Sequence, residues 1–257
     1  MTKEFKDQWA VILGGSSGLG LASAQKLAQY GMNICIVHRD RKSNIPVFED
    51  ALNKIQQTGV QVVAFNKDAL LAETRQTIID FLPKKRVKLL LHSVAKGSLK
   101  PMNKSEEALT KVDLDITLHA MATSWYEWAS HFLKEDLFSE NARSIAFTSE
   151  GSTKVWPGYG AVSAAKATLE SLMRSMAVAF APYNMTTNCI QAGATETPSF
   201  LLIPGSDKLA DMAKNRNPFN KLTQPEDVAN SVYLLCKDEA NWINGTILKV
   251  DGGESLR

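Results

Sequence analysis

The sequence predicts an α/β protein in which helices cover both faces of one parallel sheet. Short apolar runs alternate with longer amphipathic stretches along all 257 residues. Some of the short runs, such as VKLLLHSV at residues 87–94, are largely apolar, as expected for strands buried on both faces. We see no Pro- or Gly-rich linker, so we expect a single domain over residues 1–257, with about seven strands.

Seven strands and six longer helices are predicted in chain order. The strands are 9–13, 33–38, 60–66, 87–93, 144–149, 186–191 and 246–250. The helices are 19–30, 47–58, 74–82, 106–133, 162–180 and 225–237. Alternation of this kind requires crossover connections, which are right-handed and produce a doubly wound sheet.

Composition excludes several classes of function. Hydrophobic residues make up 44% of the chain, charged residues 22%, and the net charge is +2, as in ordinary globular proteins. The basic run PKKRVK at 83–88 precedes an apolar strand, so we interpret it as a solvated loop and expect no nucleic-acid binding. No stretch approaches the roughly 20 apolar residues of a membrane span. The N-terminal MTKEFKDQWA has no apolar signal core, so we expect a cytoplasmic location.

The three cysteines indicate a reducing compartment. Cys35, Cys189 and Cys236 lie in apolar stretches and lack the spacing of metal ligands. A small, odd number of such residues predicts buried free thiols and no metal site.

One segment departs from the alternating pattern. Residues 192–220 are rich in Pro, Gly and small polar residues, with a weak helical stretch at 207–216. The segment follows a predicted strand directly, and ligands of open α/β sheets bind beyond the carboxyl ends of the strands. We interpret residues 193–220 as a mobile substrate-binding lid, and a variable surface loop is the alternative.

A glycine-rich turn joins the first strand to the first helix. Gly14, Gly18 and Gly20 form a G-x3-G-x-G pattern that allows a tight turn and close approach of the backbone to a pyrophosphate. The helix that follows offers free N–H groups and a positive dipole end to phosphates. Between a strand and a helix, this pattern predicts a Rossmann-type dinucleotide site. Ser16, Ser17 and Leu19 belong to the same turn.

The end of the second strand favours NADPH over NADH. An NAD-preferring site has Asp or Glu here to bind the ribose hydroxyls. This chain has His38 and Arg39, and a cation can pair with a 2′-phosphate that an acid would repel. A solvated basic turn is the alternative, and Asp40 also stands nearby.

Over its whole length the chain resembles the short-chain dehydrogenase/reductases. The matching features are the glycine turn, Asp68, LLHSVA at 90–95, Ser149, Tyr159 with Lys166, AGATETP at 192–198 and VDGG at 250–253. The resemblance implies that Tyr159, Lys166 and Ser149 are catalytic. It also implies cofactor contacts by Lys166 and by Asp68, Ala69, Ser93, Val94, Ala95, Ala192, Gly193, Thr195 and Thr197.

Departures from the family pattern resemble one branch of it, the enoyl-acyl-carrier-protein reductases. The usual Asn-Asn-Ala-Gly reads HSVA at 92–95, Thr117 replaces the usual catalytic Asn, and Ala192 replaces a Pro. The usual tyrosine, four residues before the lysine, is Val162, and Tyr159 stands seven before it. The glycine turn and SLKPM at 98–102 look like the NADPH-using type. This resemblance implies an acyl thioester on acyl carrier protein as substrate, and a homotetramer built on the helices 106–133 and 162–180.

The displaced tyrosine has a chemical rationale. Positions four and seven apart on a helix share nearly one face, and three residues span roughly 4.5 Å along the axis. In enoyl-thioester reduction the hydride goes to C3, while negative charge develops on the thioester oxygen three bonds away. We expect Tyr159 to stabilise that oxygen, Lys166 to bind the nicotinamide ribose, and Ser149 to be a possible second donor.

Other interpretations remain open at the level of sequence. The chain could be a carbonyl or 3-oxoacyl reductase with an unusual tyrosine, or an NADP-sensing protein without turnover. His92 and His119 are interpreted as structural histidines. The aromatic stretch TSWYEW at 123–128 is assigned to core or oligomer packing.

Overall fold

The computed structural model describes residues 4–257 and confirms the predicted fold. Seven parallel strands form one sheet in the order β3-β2-β1-β4-β5-β6-β7. They are β1 (Trp9–Leu13), β2 (Asn33–His38), β3 (Val62–Asn66), β4 (Val87–His92), β5 (Phe138–Thr148), β6 (Met185–Ala192) and β7 (Ile247–Val250).

Helices cover both faces of the sheet. They are α1 (Gly18–Gln29), α2 (Ile45–Gln56), α3 (Ala72–Phe81), α4 (Lys111–Leu118), α5 (Ser124–Lys134), α6 (Gly160–Phe180), α7 (Pro198–Leu201), α8 (Ser206–Arg216) and α9 (Pro225–Cys236). Alternate strand residues point to opposite faces, so Val11 and Leu13 enter one core cluster, and Ala10 and Ile12 enter the other. This two-sided burial explains why β1 and β4 are apolar throughout except for Lys88 and His92.

The strand order places a crevice at the carboxyl end of β1. From β1 the chain proceeds outward through β2 and β3, then returns to β4 on the other side. Loops leaving β1 and β4 therefore diverge to opposite faces of the sheet, and such a switch point is where open α/β sheets bind ligands. The glycine turn follows β1, and residues 93–95 follow β4.

The long helix predicted over 106–133 is wrong in two respects. It begins at Lys111, because Thr110 and Asp113 form a capping box that starts a helix there. A π-helical turn at His119–Thr123 then separates α4 from α5. Hydrophobic periodicity continues across both features, so it did not reveal either boundary.

Two strands also start two or more residues away from the predicted position, and the other strand boundaries agree within one residue. Strand β5 starts at Phe138 rather than 144, because it pairs with β4 on one side and β6 on the other. Strand β3 starts at Val62 rather than 60. In the segment predicted as a lid, the helical stretch is present as α8, with the short α7 before it. Within residues 4–257, no helix is both long and apolar enough to cross a membrane.

Candidate active site

A cavity of about 500 Å³ lies at the carboxyl ends of the central strands. It brings together most of the residues predicted from the sequence, namely Gly14, Ser17, Gly18, Leu19, Ser93, Val94, Ala95, Ser149, Tyr159, Lys166, Ala192, Gly193, Thr195 and Thr197. Six predicted residues are not part of its lining, namely Ser16, Gly20, His38, Arg39, Asp68 and Ala69. Lid residues such as Phe200, Leu209 and Met212 close its apolar side.

The glycine turn is shaped for close approach of backbone atoms. Gly14 has φ +84°, and a Cβ there would lie 2.6 Å from the carbonyl oxygen of Ser93. A Cβ on Gly20 would lie 2.4 Å from the carbonyl oxygen of Gly14. Both positions therefore require glycine, since larger residues would separate the turn from β4 and from α1.

The first turn of α1 fits a dinucleotide pyrophosphate. Ser17 precedes the helix in an extended conformation, and its side chain makes no capping hydrogen bond. The first N–H groups of the 12-residue helix thus have no side-chain acceptor, and they lie beside a cavity lined by Ser17, Gly18 and Leu19. These backbone N–H groups would hold the phosphates of a nicotinamide cofactor.

At the predicted adenosine end, Arg39 is paired with an acid. Its Nη1 donates to Asp68 Oδ2 over 2.7 Å, while the arginine side chain is 59% exposed. Asp68 is itself fixed, because its Oδ1 accepts from the Leu70 N–H over 3.0 Å. The carbonyl of Ala69 accepts from the indole of Trp128 over 2.8 Å. Arg39 is therefore anchored on one side and open to solvent on the other.

His38 is placed differently from Arg39. Its ring is buried against Phe48, with 4.5 Å between ring centroids, and its Nδ1 lies 3.0 Å from Asp40 Oδ2. Burial lowers the pKa of His38, although the neighbouring Asp40 opposes that shift. The imidazole thus supports the end of β2, whereas Arg39 beside it is an exposed cation.

Tyr159 stands immediately before α6 and not within it. Its carbonyl accepts from the Ser163 N–H over 2.8 Å, so it occupies the N-cap position of the helix. Gly158 precedes it with φ +73°, and a Cβ there would lie 2.7 Å from the carbonyl of Leu99. The turn that aims Tyr159 into the cavity therefore depends on a glycine and on contact with the segment around Leu99.

Ser149 lies beside the Tyr159 hydroxyl. The Ser149 Oγ is buried and has no hydrogen-bond partner among the described residues. Burial raises the pKa of Tyr159, and the nearby Ser149 hydroxyl partly opposes that rise. A Cβ on Gly151 would lie 2.4 Å from the Tyr159 ring and 3.3 Å from Ser149 Oγ. Gly151 thus packs both side chains into one place, and their hydroxyls remain available to a ligand oxygen.

Lys166 reaches the same cavity from one face of α6. Its Nζ donates to the carbonyl of Phe147 over 2.6 Å, and only 7% of the residue is exposed. Burial lowers the pKa of Lys166 to about 8. The amine is thus a hydrogen-bond donor in the cavity lining, and the family resemblance implies that it contacts the cofactor ribose.

Val162 occupies the place of the usual family tyrosine. It lines the cavity and is 5% exposed. A Cβ on Gly97 would lie 2.6 Å from Val162 Cγ2, 2.9 Å from Met121 Sδ and 3.0 Å from Thr117 Cγ2. An apolar contact therefore fills the position from which a ketone-reducing tyrosine would donate.

Thr117 holds a loop in place through its hydroxyl. Its hydroxyl donates to the Asp113 carbonyl over 2.7 Å and accepts from the Ser98 N–H over 3.0 Å. Lys100 Nζ donates to Asp113 over 2.9 Å, which fixes the same loop to α4.

His92 is also structural, as expected. Its Nε2 lies 3.0 Å from Ser124 Oγ, and burial lowers its pKa to about 3.

An ionic group at the lid was missed by sequence reasoning. Arg216, the last residue of α8, donates from Nη2 to Glu150 over 2.9 Å and to Glu254 over 2.8 Å. Glu254 also accepts from the Ala194 N–H over 3.0 Å. These three residues join the lid helix to the loop after Ser149 and to the C-terminal turn. Glu150 follows Ser149 directly and could have been marked for that reason, whereas Glu254 has no local signal.

Charged clusters and cysteines add no metal chemistry to the site. Across residues 4–257, no group of His, Cys, Asp and Glu side chains is arranged to hold a metal ion. Cys35, Cys189 and Cys236 are all buried and unpaired by disulfides, as predicted.

Comparison with known proteins identifies the family. A family model described as "Enoyl-(Acyl carrier protein) reductase" matches residues 14–255. The chain belongs to the short-chain dehydrogenase/reductase family. It is thus an oxidoreductase of a family that binds nicotinamide cofactors. A solved short chain dehydrogenase from Burkholderia cenocepacia J2315, in complex with NADP, has a TM-score of 0.83 at 24% identity, with 98% of this chain and 99% of that chain covered.

Curated relatives of this short-chain dehydrogenase/reductase include several named for coenzyme A thioesters, two of them reductases. A probable 2,4-dienoyl-CoA reductase of Bacillus subtilis is 29% identical, with 96% of each chain covered. A 1-cyclohexenylcarbonyl-CoA reductase of Streptomyces collinus is 26% identical, with 97% of this chain and 87% of that protein covered. Dehydrogenases and tropinone reductase homologues occur at similar identity. The family model thus establishes the family, and the relatives, which act on different substrates, do not identify the substrate of this chain.

Proposed function

We propose that the protein is an NADPH-dependent enoyl-thioester reductase that saturates the C2–C3 bond of trans-2-enoyl groups carried on acyl carrier protein in fatty-acid synthesis. The observation that carries the proposal is the position of the buried hydroxyl donors. Tyr159 and Ser149 are adjacent, and Val162 fills the usual donor position with an apolar side chain. Two curated relatives are named as reductases of unsaturated acyl-coenzyme A thioesters, which supports the same reaction type.

Each residue of the proposed active site has a distinct chemical role. A bound reduced nicotinamide would supply the hydride to C3. The Tyr159 hydroxyl, aided by Ser149, would hydrogen-bond to the thioester oxygen as negative charge develops there, and a proton from water added at C2 would complete the saturated thioester. Lys166 would hold the ribose and keep positive charge near that oxygen. Burial raises the pKa of Tyr159, so its proton stays on the hydroxyl and is available for donation.

The lining of the cavity suits an acyl chain. Phe200, Leu202, Ile203, Leu209 and Met212 present apolar side chains from the lid segment. We propose that this segment opens to admit the acyl group and closes when Arg216 pairs with Glu150. In the described conformation the pair is formed, and burial of Glu150 is outweighed by hydrogen bonds from Arg216 and Lys154, which hold its pKa below the usual value.

Cofactor choice rests on Arg39. We propose that its exposed guanidinium edge binds the 2′-phosphate while Asp68 holds the other edge. A cation held in this way is suited to a phosphate, because little side-chain freedom remains to be lost on binding.

Substrate competition tests the function. NADPH consumption is measured with a 2-enoyl thioester and a 3-oxoacyl thioester of equal chain length on the same carrier, and a 2,4-dienoyl thioester is the third arm. We expect the enoyl substrate to be reduced at least tenfold faster than the 3-oxoacyl substrate. An equal or reversed ratio would replace the proposal with a carbonyl reductase, the second candidate. Absence of turnover with every substrate, despite tight NADPH binding, would favour the NADP-sensing protein.

Carrier preference is tested separately. The same enoyl group is presented on acyl carrier protein and on coenzyme A, and kcat/KM is compared. A preference for coenzyme A would keep the chemistry and remove the assignment to fatty-acid synthesis.

A further inference from the structure

Two consecutive residues of β5 bind two side chains of α6. Phe147 accepts a hydrogen bond from Lys166 Nζ over 2.6 Å through its carbonyl. Thr148, the next residue, donates from its hydroxyl to Glu170 Oε1 over 2.5 Å. Lys166 and Glu170 are four residues apart, so both side chains leave the same face of the helix. The helix is thereby joined to the strand at two adjacent points, immediately before Ser149.

All three polar side chains of this group are buried. Exposure is 7% for Lys166, 8% for Glu170 and 3% for Thr148. A buried carboxylate is costly unless it is hydrogen-bonded or paired with a charge, so chance retention of an acid here is disfavoured. Lys166 and Glu170 do not form a direct ion pair in the described structure. The Thr148 hydroxyl fixes the orientation of the carboxylate, whose charge favours the protonated form of the amine.

We propose that Glu170, held by Thr148, is a positioning residue that keeps the Lys166 ammonium protonated and docked on β5 for contact with the cofactor ribose. Within the site it would offset the cost of burying a cation. Removing it would leave the amine in apolar surroundings with no fixed negative charge nearby. The inference rests on the role proposed for Lys166, and it holds equally for enoyl and for carbonyl reduction.

The other titratable groups around Lys166 carry no negative charge at neutral pH. His92 on β4 is neutral, because burial lowers its pKa to about 3. Cys189 on β6 remains a thiol, because burial raises its pKa to about 12. Tyr159 is neutral, since its pKa is raised by burial. Burial dominates the lowering of the Lys166 pKa to about 8, and Cys189 and Glu170 act in the opposite direction. Glu170 is therefore the acidic neighbour that can act below the range in which Cys189 ionises.

Three substitutions test the inference through cofactor binding alone. Glu170→Gln removes the charge and keeps the shape. Thr148→Val removes the hydroxyl with little change in volume, and Thr148→Ser restores it. The matched control is Thr168→Val, because the Thr168 hydroxyl bonds only to the Ala164 carbonyl of its own helix turn, over 2.9 Å. NADPH affinity of each folded variant is measured by cofactor fluorescence without substrate, from about pH 6 to about pH 10.

The expected result is a shift of the pH dependence. In Glu170→Gln, the pH at which NADPH affinity is half lost should fall by about one unit, so that at the wild-type midpoint the variant binds NADPH about fivefold more weakly than the wild type does. Thr148→Val should shift it in the same direction by a smaller amount, and Thr148→Ser and Thr168→Val should match wild type. The alkaline limb of kcat/KM should move in parallel.

Contrary results are equally well defined. A wild-type pH profile in both Glu170→Gln and Thr148→Val would overturn the inference and leave Glu170 a packing residue. A loss of NADPH affinity of equal size at every pH would also overturn the inference. If Glu170→Gln does not fold by circular dichroism, Thr148→Val decides by the same measurement. Because no substrate is present, failure of the enoyl-reductase proposal would appear elsewhere, in the substrate competition.

Discussion

Replacement of Tyr159 by phenylalanine tests the proton donor with little disturbance of the fold. The ring packs so closely on Gly151 that an added Cβ there would lie 2.4 Å from it. Phenylalanine keeps this contact and removes only the hydroxyl. Loss of one such donor costs about 10²–10³ in kcat, or about 2.7–4 kcal/mol.

The structure indicates which end of that range applies. Ser149 Oγ is buried, adjacent to Tyr159 and without a hydrogen-bond partner in the described residues, so it can still donate to the substrate oxygen. We therefore expect Tyr159→Phe to lower kcat for the enoyl thioester by about 10², and Tyr159→Phe/Ser149→Ala to approach about 10³. The measurement is steady-state NADPH oxidation, with NADPH affinity by fluorescence as the control. Near-normal turnover in the single variant would refute the displaced-donor argument.

The remaining predictions concern the cofactor and the assembly. Gly14→Ala should abolish NADPH binding, because its Cβ would meet Ser93 and the residue has φ +84°; wild-type affinity in a fluorescence titration would contradict this. Arg39→Ala should raise the KM for NADPH at least about tenfold and leave that for NADH nearly unchanged, and equal effects on both would exclude 2′-phosphate recognition. Cofactor affinity of the wild type should fall as pH rises through about 8, where Lys166 loses its proton, and a flat profile would contradict that. We also propose a homotetramer: Ile116 on α4 is 50% exposed, so Ile116→Glu should give smaller species in light scattering, and a monomeric wild type would remove the proposal.

Sequence patterns predicted the sheet well because strand burial is a local property. Strands covered on both faces, such as β1 and β4, must be almost continuously apolar, and that requirement is visible residue by residue. The start of α4 was not visible in the same way. A capping box at Thr110 and Asp113 lies within a stretch whose helical periodicity extends further back, and periodicity does not show which turn begins the helix.

In the candidate site, too, features with a local sequence signal were predicted and contacts between distant segments were not. Glycines near phosphates and a Tyr–Lys pair have fixed spacing along the chain, so Gly14, Tyr159 and Lys166 were found and lie in one cavity. Partners from distant parts of the chain could not be assigned. Nothing local connects Arg216 with Glu254, or Arg39 with Asp68, because these pairs exist only after the sheet has brought their loops together. His38 and Arg39 looked equivalent as adjacent basic residues, yet one is buried and the other exposed.

The contact between Gly97 and Val162 bears on how such an enzyme could change its chemistry during evolution. With so little room beside Gly97, a tyrosine arising at position 162 would press on the backbone of the loop after β4 before it could serve any substrate. The proposed donor, Tyr159, depends on the left-handed turn at Gly158 and its contact with Leu99 in the same loop. Both donor positions thus share one neighbouring loop, so exchange of one chemistry for the other requires coordinated substitutions in two segments. A lineage that has acquired this arrangement is expected to keep it.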